Sequence, residues 1–256
     1  MSELIIYEQP LNERIRTFLR LEFLFARVEK ALQHDDEMSH RDAIDAMLDM
    51  LSVFERGDLK SEVSKEVDRL ITNLSALENT PGVDKTALDE LLAELDQTLD
   101  ALQLRKSAIG QVLKENEFLY SIRQRSSIPG GTCDFDLPAF HFWLKHTSTA
   151  ARREQLLAWS SQFVAVREAI NMSLRLIRGS TGFSAAQAEA GFFQRSLDGN
   201  QPTQLIRVQI DSSAPYFPEI SGGKHRFTVR FMRFDINQRP QQQSEDIAFK
   251  LSCCAM

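Results

Sequence analysis

After Gly179 the texture of this chain changes, and from Gln204 its apolar residues recur at every second position instead of every third or fourth. The wider spacing lines one face of a helix and the narrower lines one face of a strand, so no single kind of secondary structure suits both parts. The expectation is an α+β fold: a mainly helical, bundle-like domain plus a small antiparallel β-sheet domain.

The helical part reads as a series. From Leu11 to about Val28 the chain is apolar on more than one side, which suits a central helix or one shared with a second subunit. Ile44, Met47, Leu48, Leu51 and Phe54 follow at helical spacing, then Val63, Val67, Leu70 and Leu74. Asp84 is placed to cap a helix carrying Leu88, Leu91, Leu95 and Leu102. A shorter helix is expected from about Ile109 to Arg125, and one long helix from Ala150 to about Arg178, with Trp159, Phe163, Val166, Ile170 and Ile177 as its seam.

Downstream, Gln204 to Ile210 and Lys224 to Met232 alternate as strands, and Glu245 to Ser252 reads as a third. A short helix is expected around Ala185 to Phe193, and turn-rich connectors at 216–223 and 238–240. Leu4 to Tyr7 is strand-like and too short to stand alone, so it is expected to join the C-terminal strands. The expected organisation is a helical domain over 11–180, a β-domain from 1–10 and 200–254, and a connector over 181–199.

Several function classes drop out on composition. No apolar run approaches the ~20 residues that span a bilayer, and the N-terminus lacks the pattern of a signal peptide. Three cysteines, two of them adjacent at Cys253 and Cys254, make no disulfide framework. A cytoplasmic protein without direct membrane insertion is expected. Charge is uneven: residues 1–120 hold 14 basic and 25 acidic residues, while the rest hold 16 and 11. An acidic whole argues against non-specific nucleic-acid binding, whereas a local cationic patch suits steering of one acidic segment.

Enzyme chemistry finds no foothold. The five histidines show no metal-binding spacing, and no nucleophile elbow or Walker loop is present. Cys133 follows a Pro-Gly-Gly loop with His141 nearby, but Asp134 and Asp136 disfavour a thiolate there. No catalytic residue, metal or cofactor is expected.

On the strand from Lys224, positions 224, 226, 228 and 230 share one face and read Lys, Arg, Thr, Arg. Phe227, Val229 and Phe231 form the opposite, core face. Arg226 and Arg230 lie ~13 Å apart along such a strand, and arginine forks take carboxylates bidentately. A cationic strip of this kind suits a carboxylate-bearing peptide; it equally suits a solvated face balanced by acids elsewhere. A nucleic-acid or other acidic-ligand binding module is the alternative, against which stands the lack of aromatic residues within the strip.

With these residues laid out, the chain resembles the ZapD (Z-ring-associated protein D) family of bacterial cell-division proteins. The resemblance rests on Glu8-x-Pro-Leu-Asn-Glu13, Arg16-Thr-x-Leu-Arg-x-Glu-Phe-Leu24, Val53-Phe-Glu-Arg-Gly57 and Gln124-Arg-x-Ser-Ile-Pro-Gly-Gly131. It continues through Cys133, Phe135-Asp-Leu-Pro138, Pro218-x-Ile-Ser-Gly222, Arg226-Phe-x-x-Arg-Phe-Met232 and the terminal cysteine pair. It implies a non-enzymatic homodimer, recruited to the division site, that binds the C-terminal tail of FtsZ and bundles FtsZ filaments. It also implies a basic groove whose arginines match Arg56, Arg226 and Arg230; beside them, on physical grounds, Lys224 is expected to add positive field and His225 a pH-sensitive edge. The helical domain is the expected place of dimerisation.

Overall fold

A computed structural model describes residues 3–104, 107–199 and 202–256. The chain divides into two compact units, one of Met1–Thr17 with Ser173–Met256 and one of Phe18–Met172. The outer limits of the expected β-domain at 1, 2, 200 and 201 lie outside the described residues.

The Phe18–Met172 unit is helical. The unit boundaries fall within α1 (Glu13–Ala31) and α9 (Val164–Gly179). Between them run α2 (Glu37–Phe54), α3 (Leu59–Ser75), α4 (Lys85–Leu104), α5 (Gln111–Lys114), α6 (Glu117–Ser126), α7 (Pro138–His146) and α8 (Thr149–Ser160). Side-chain oxygens of Asp36, Asp58, Asp84, Asn116 and Ser148 accept from backbone N–H groups three residues on, which satisfies first-turn donors. The apolar stripes become core: Ile44, Met47 and Leu51, then Val63, Val67 and Leu70, then Leu95 and Leu102 are all buried. Phe118 stacks on Trp159 with centroids 6.2 Å apart and meets Trp143 at 5.7 Å.

Two helices differ from expectation. The long helix over 150–178 is broken by one 3-10 turn at Ser161–Phe163. There the hydroxyls of Ser160 and Ser161 donate to the carbonyls of Leu157 and Ala158, a back-bonding that bends helices. The bend leaves Phe163 buried and stacked on Phe54, with centroids 5.5 Å apart. The helix over 109–125 is likewise two, because Asn116 caps a fresh start at α6.

The other unit is built on two sheets. One has the order β1 (Leu4–Pro10), β4 (Thr203–Asp211), β8 (Ile247–Ala255), β2 (Ser184–Ala188). The second has the order β3 (Phe192–Ser196), β6 (Arg226–Arg233), β5 (Tyr216–Gly222), with the short β7 (Gln241–Gln242) also pairing β6. The N-terminal strand joins the C-terminal ones as expected, antiparallel to β4 from Leu4↔Asp211 to Pro10↔Leu205. Ile206, Val208, Phe227, Val229, Phe231, Ile247, Phe249 and Leu251 form the shared core of the two sheets. Phe249 of one sheet meets Phe193 and Phe231 of the other at 5.3 and 5.1 Å between centroids.

Residues 181–199, expected as a connector with a short helix, carry β2 and β3 instead. They are joined by a two-residue turn, Ala190-Gly191, in which both residues have positive φ, +46° and +71°. Such primed turns match the twist of a tight hairpin. Gly191 is required twice over, since an added Cβ would also run into the Gln243 carbonyl oxygen. The stretch expected as a turn-rich connector at 216–223 is mostly β5, where Pro218 is buried opposite Phe231.

Candidate functional site

The period of two along β6 works out as the sequence implies. Phe227, Val229 and Phe231 are buried in the core, while Arg226 and Arg230 are exposed and Thr228 is half-buried on the outer face. Because β6 lies between β3 and β5, Thr228 and Arg230 each have a paired neighbour on both sides, and directly paired residues share a face. Ser196 faces Arg226; Gln194 and Ser221 flank Thr228; Phe192 and Glu219 flank Arg230.

Lys224 and His225 are placed differently from the sequence reading. β6 begins at Arg226, so both residues sit in the bend that links it to β5. The His225 carbonyl accepts from Leu197 N–H at 2.8 Å, and the Gly223 N–H donates to the Arg226 carbonyl at 3.0 Å, which closes the turn. Glycine is needed at 222, where a Cβ would stand 2.8 Å from Leu11 Cδ2 and 2.9 Å from Phe227 Cβ. The turn and the adjoining strands form an open cleft of about 470 Å³ lined by Gln194, residues 221–226 and Thr228.

The electrostatics are simple. Lys224 and Arg226 are exposed, and among the described residues neither has a carboxylate within 4 Å. Arg230 has one partial partner: its Nη2 lies 3.9 Å from Glu219 Oε2, with the side chains 53% and 45% exposed. Arg56 is exposed in the turn after α2 and belongs to the Phe18–Met172 unit. Its neighbour Glu55 is held by Arg123 and Lys114, so that carboxylate is occupied. Of the residues expected at the site, Lys224, His225 and Arg226 thus lie around one cleft, Arg230 stands two rows along β6 from Arg226, and Arg56 belongs to the other unit. Phe192, Gln194, Ser221 and Glu219 escape a reading of the sequence, since only strand pairing brings them to this face.

The competing chemistry is placed as well. Cys133 donates to Asp136 at 3.6 Å. Burial pushes the Cys253 and Cys254 thiols up from the ordinary cysteine value, which disfavours the nucleophilic thiolate. Among the described residues no three His, Cys, Asp or Glu side chains gather to hold a metal, and no helix is long and apolar enough to cross a membrane.

Comparison with known proteins gives the family. The family described as "ZapD: Cell division protein" matches residues 19–230, which reach from α1 into β6. The chain belongs to the ZapD family of cell-division proteins. It is similar to a protein named "Cell division protein ZapD" from Methylococcus capsulatus, 40% identical over 256 residues and covering all of both chains. It is also similar to proteins of that name from Ralstonia pickettii, 40% identical over 252 residues (98% of this chain and 99% of the relative), and from Azoarcus, 38% identical over 253 residues (99% and 100%). Cell division is therefore the process in which the chain acts.

The segments that carry the ZapD resemblance have structural roles here. In Glu8-x-Pro-Leu-Asn-Glu13, Glu8 accepts from Arg178 at 2.7 and 2.9 Å and from Arg207 at 2.9 Å, Pro10 ends β1, and Asn12 caps α1 through Ile15 N–H at 2.9 Å. The Pro-Gly-Gly loop ends beside Thr132, whose carbonyl accepts from Arg41 at 2.9 Å while that guanidinium covers Phe140 at 4.6 Å. Among the described residues Arg226 has no carboxylate within 4 Å, and Arg230 has only the 3.9 Å contact with Glu219. Their side chains are open to solvent in a strand otherwise anchored by its apolar face.

Proposed function

We propose that this chain binds the C-terminal tail of FtsZ, the tubulin-like GTPase of the division ring, through the basic outer face of β6. A cytoplasmic homodimer carrying two such faces cross-links FtsZ filaments at mid-cell into bundles that stabilise the Z-ring. No catalytic step and no cofactor enter this role. The observation that carries the reading is the pair Arg226 and Arg230, exposed on one strand face beside an open cleft. Membership in a family of cell-division proteins supplies the setting.

The physics follows from weak, repeated contacts. Arginine forks bind carboxylates of a flexible tail, and Lys224 and His225 line the same cleft. Ordering a disordered tail costs entropy, so each contact is weak and salt-sensitive. Many tails along a polymer, met by a divalent protein, give avidity without further contacts. Arg56, which the family pattern also names, belongs to the other unit and is tested separately.

Sedimentation of FtsZ filaments at low speed tests the reading. Wild type brings intact filaments into the pellet and leaves filaments of tail-deleted FtsZ in solution. The Arg226→Glu, Arg230→Glu variant, folded by circular dichroism, leaves both in solution. Pelleting of tail-deleted filaments by wild type would refute it.

A further inference from the structure

The outer face of β6 is not purely basic. Phe192 stands directly across from Arg230 and is 40% exposed. Its own N–H and C=O bond to Glu189 at 2.8 and 2.9 Å, so the Phe192–Arg230 pair exchanges no backbone hydrogen bond. In pairs of that kind the two side chains approach most closely. One row further along the strand Met232 and Phe217 pair on the same face, both half-buried. Arg230 is therefore bordered by apolar surface on one side and along the strand, while Arg226 lies among Ser196, Thr228 and the glycine turn.

The backbone at Phe192 is held firmly. Ala190, a residue with a Cβ, sits at φ +46°, a conformation that favours glycine. Asp246 Oδ1 accepts from Ala190 N–H at 2.9 Å, Gln242 Nε2 donates to Ala190 C=O at 3.0 Å, and Phe231 N–H donates to Gly191 C=O at 2.8 Å. A fixed backbone of this kind presents the ring without a further ordering cost on binding.

We propose that Phe192 is a specificity-determining anchor of this face. The surface then selects an extended peptide in which an apolar side chain adjoins a carboxylate, rather than acidic chains in general. The inference rests on the reading of the β6 face as an acidic-peptide site. A peptide fits better than a nucleic acid because Glu219 stands on the same row, two arginines and one lysine make a small cationic footprint, and the chain carries a net −6.

Two synthetic peptides of equal charge test it, one with leucine beside each aspartate and one with serine in those places, alongside a single-stranded oligonucleotide of the same charge. Binding is read by fluorescence anisotropy. Wild type prefers the leucine peptide by roughly tenfold, since part of a leucine leaves water on the ring. Phe192→Ala reduces the preference below about twofold without changing the salt dependence, while Phe192→Leu keeps it. Arg230→Gln does the converse, lowering the salt dependence and sparing the preference. The proposal is overturned if wild type binds neither peptide or both alike, if Phe192→Ala keeps the preference, or if the oligonucleotide binds more tightly than the leucine peptide. Failure of the preference leaves the filament result intact, because the arginines alone carry that one.

Discussion

Among the described residues Glu219 is the one acidic side chain paired with an arginine of the proposed site, and its removal should strengthen binding. Its carboxylate lies 3.9 Å from Arg230, and it shares a strand row with that residue, so an incoming tail carboxylate meets both the attraction of Arg230 and the repulsion of Glu219. With both side chains about half exposed, the solvent end of the dielectric range applies. Two like charges about 5 Å apart then repel by about 0.8 kcal/mol, which allows roughly a two- to fourfold gain in affinity on Glu219→Gln. The gain should be full at about 50 mM salt and absent at about 0.5 M, where the screening length falls below the separation. Anisotropy of a labelled FtsZ tail peptide, titrated with wild type and variant at both salts, measures it. Unchanged or weaker binding at low salt would refute the reasoning, because it would mean that the tail carboxylate does not come near Arg230.

Two further predictions concern what holds the units together internally. Glu8→Ala leaves the Arg178 and Arg207 guanidiniums without their shared carboxylate in a mostly buried setting, and should cost about 2–3 kcal/mol of stability by urea unfolding. His40 is fully buried and accepts from Arg152 Nε at 3.0 Å; burial first, and then the Arg152 charge, lower its pKa from the ordinary histidine value. The unfolded chain therefore takes up the proton first as pH falls, and this part of the stability is present above pH 6.5 and lost below it. Unfolding at about pH 7.5 and 5.5 should show a larger loss for wild type than for His40→Gln, and equal losses would contradict that assignment.

The helical stripes were legible because burial acts on one face of a regular period: Val63, Val67 and Leu70 are buried where their spacing puts them, and Asp84 caps where expected. The break at Ser161 was not, since two serines bonding back to the preceding turn leave the apolar spacing of Trp159, Phe163 and Val166 intact. β2 was missed because Ser-Ala-Ala-Gln-Ala carries no strand preference and is fixed by pairing with β8. Of the site, Arg226 and Arg230 follow from alternation alone. Lys224 and His225 have the right neighbourhood and the wrong element, because Ser221-Gly-Gly223 ends β5 without marking where β6 begins. Phe192 was invisible for a deeper reason: its position on this face depends on a register with β6 that only the folded sheet specifies.

Binding of the FtsZ tail peptide to Arg226→Glu, Arg230→Glu, compared with wild type at low and moderate salt, reaches the central claim most directly. The account predicts salt-weakened binding by wild type and none by the folded variant, with Arg56→Glu measured beside it. Equal binding by wild type and the double variant would contradict the account and remove the β6 face from the site.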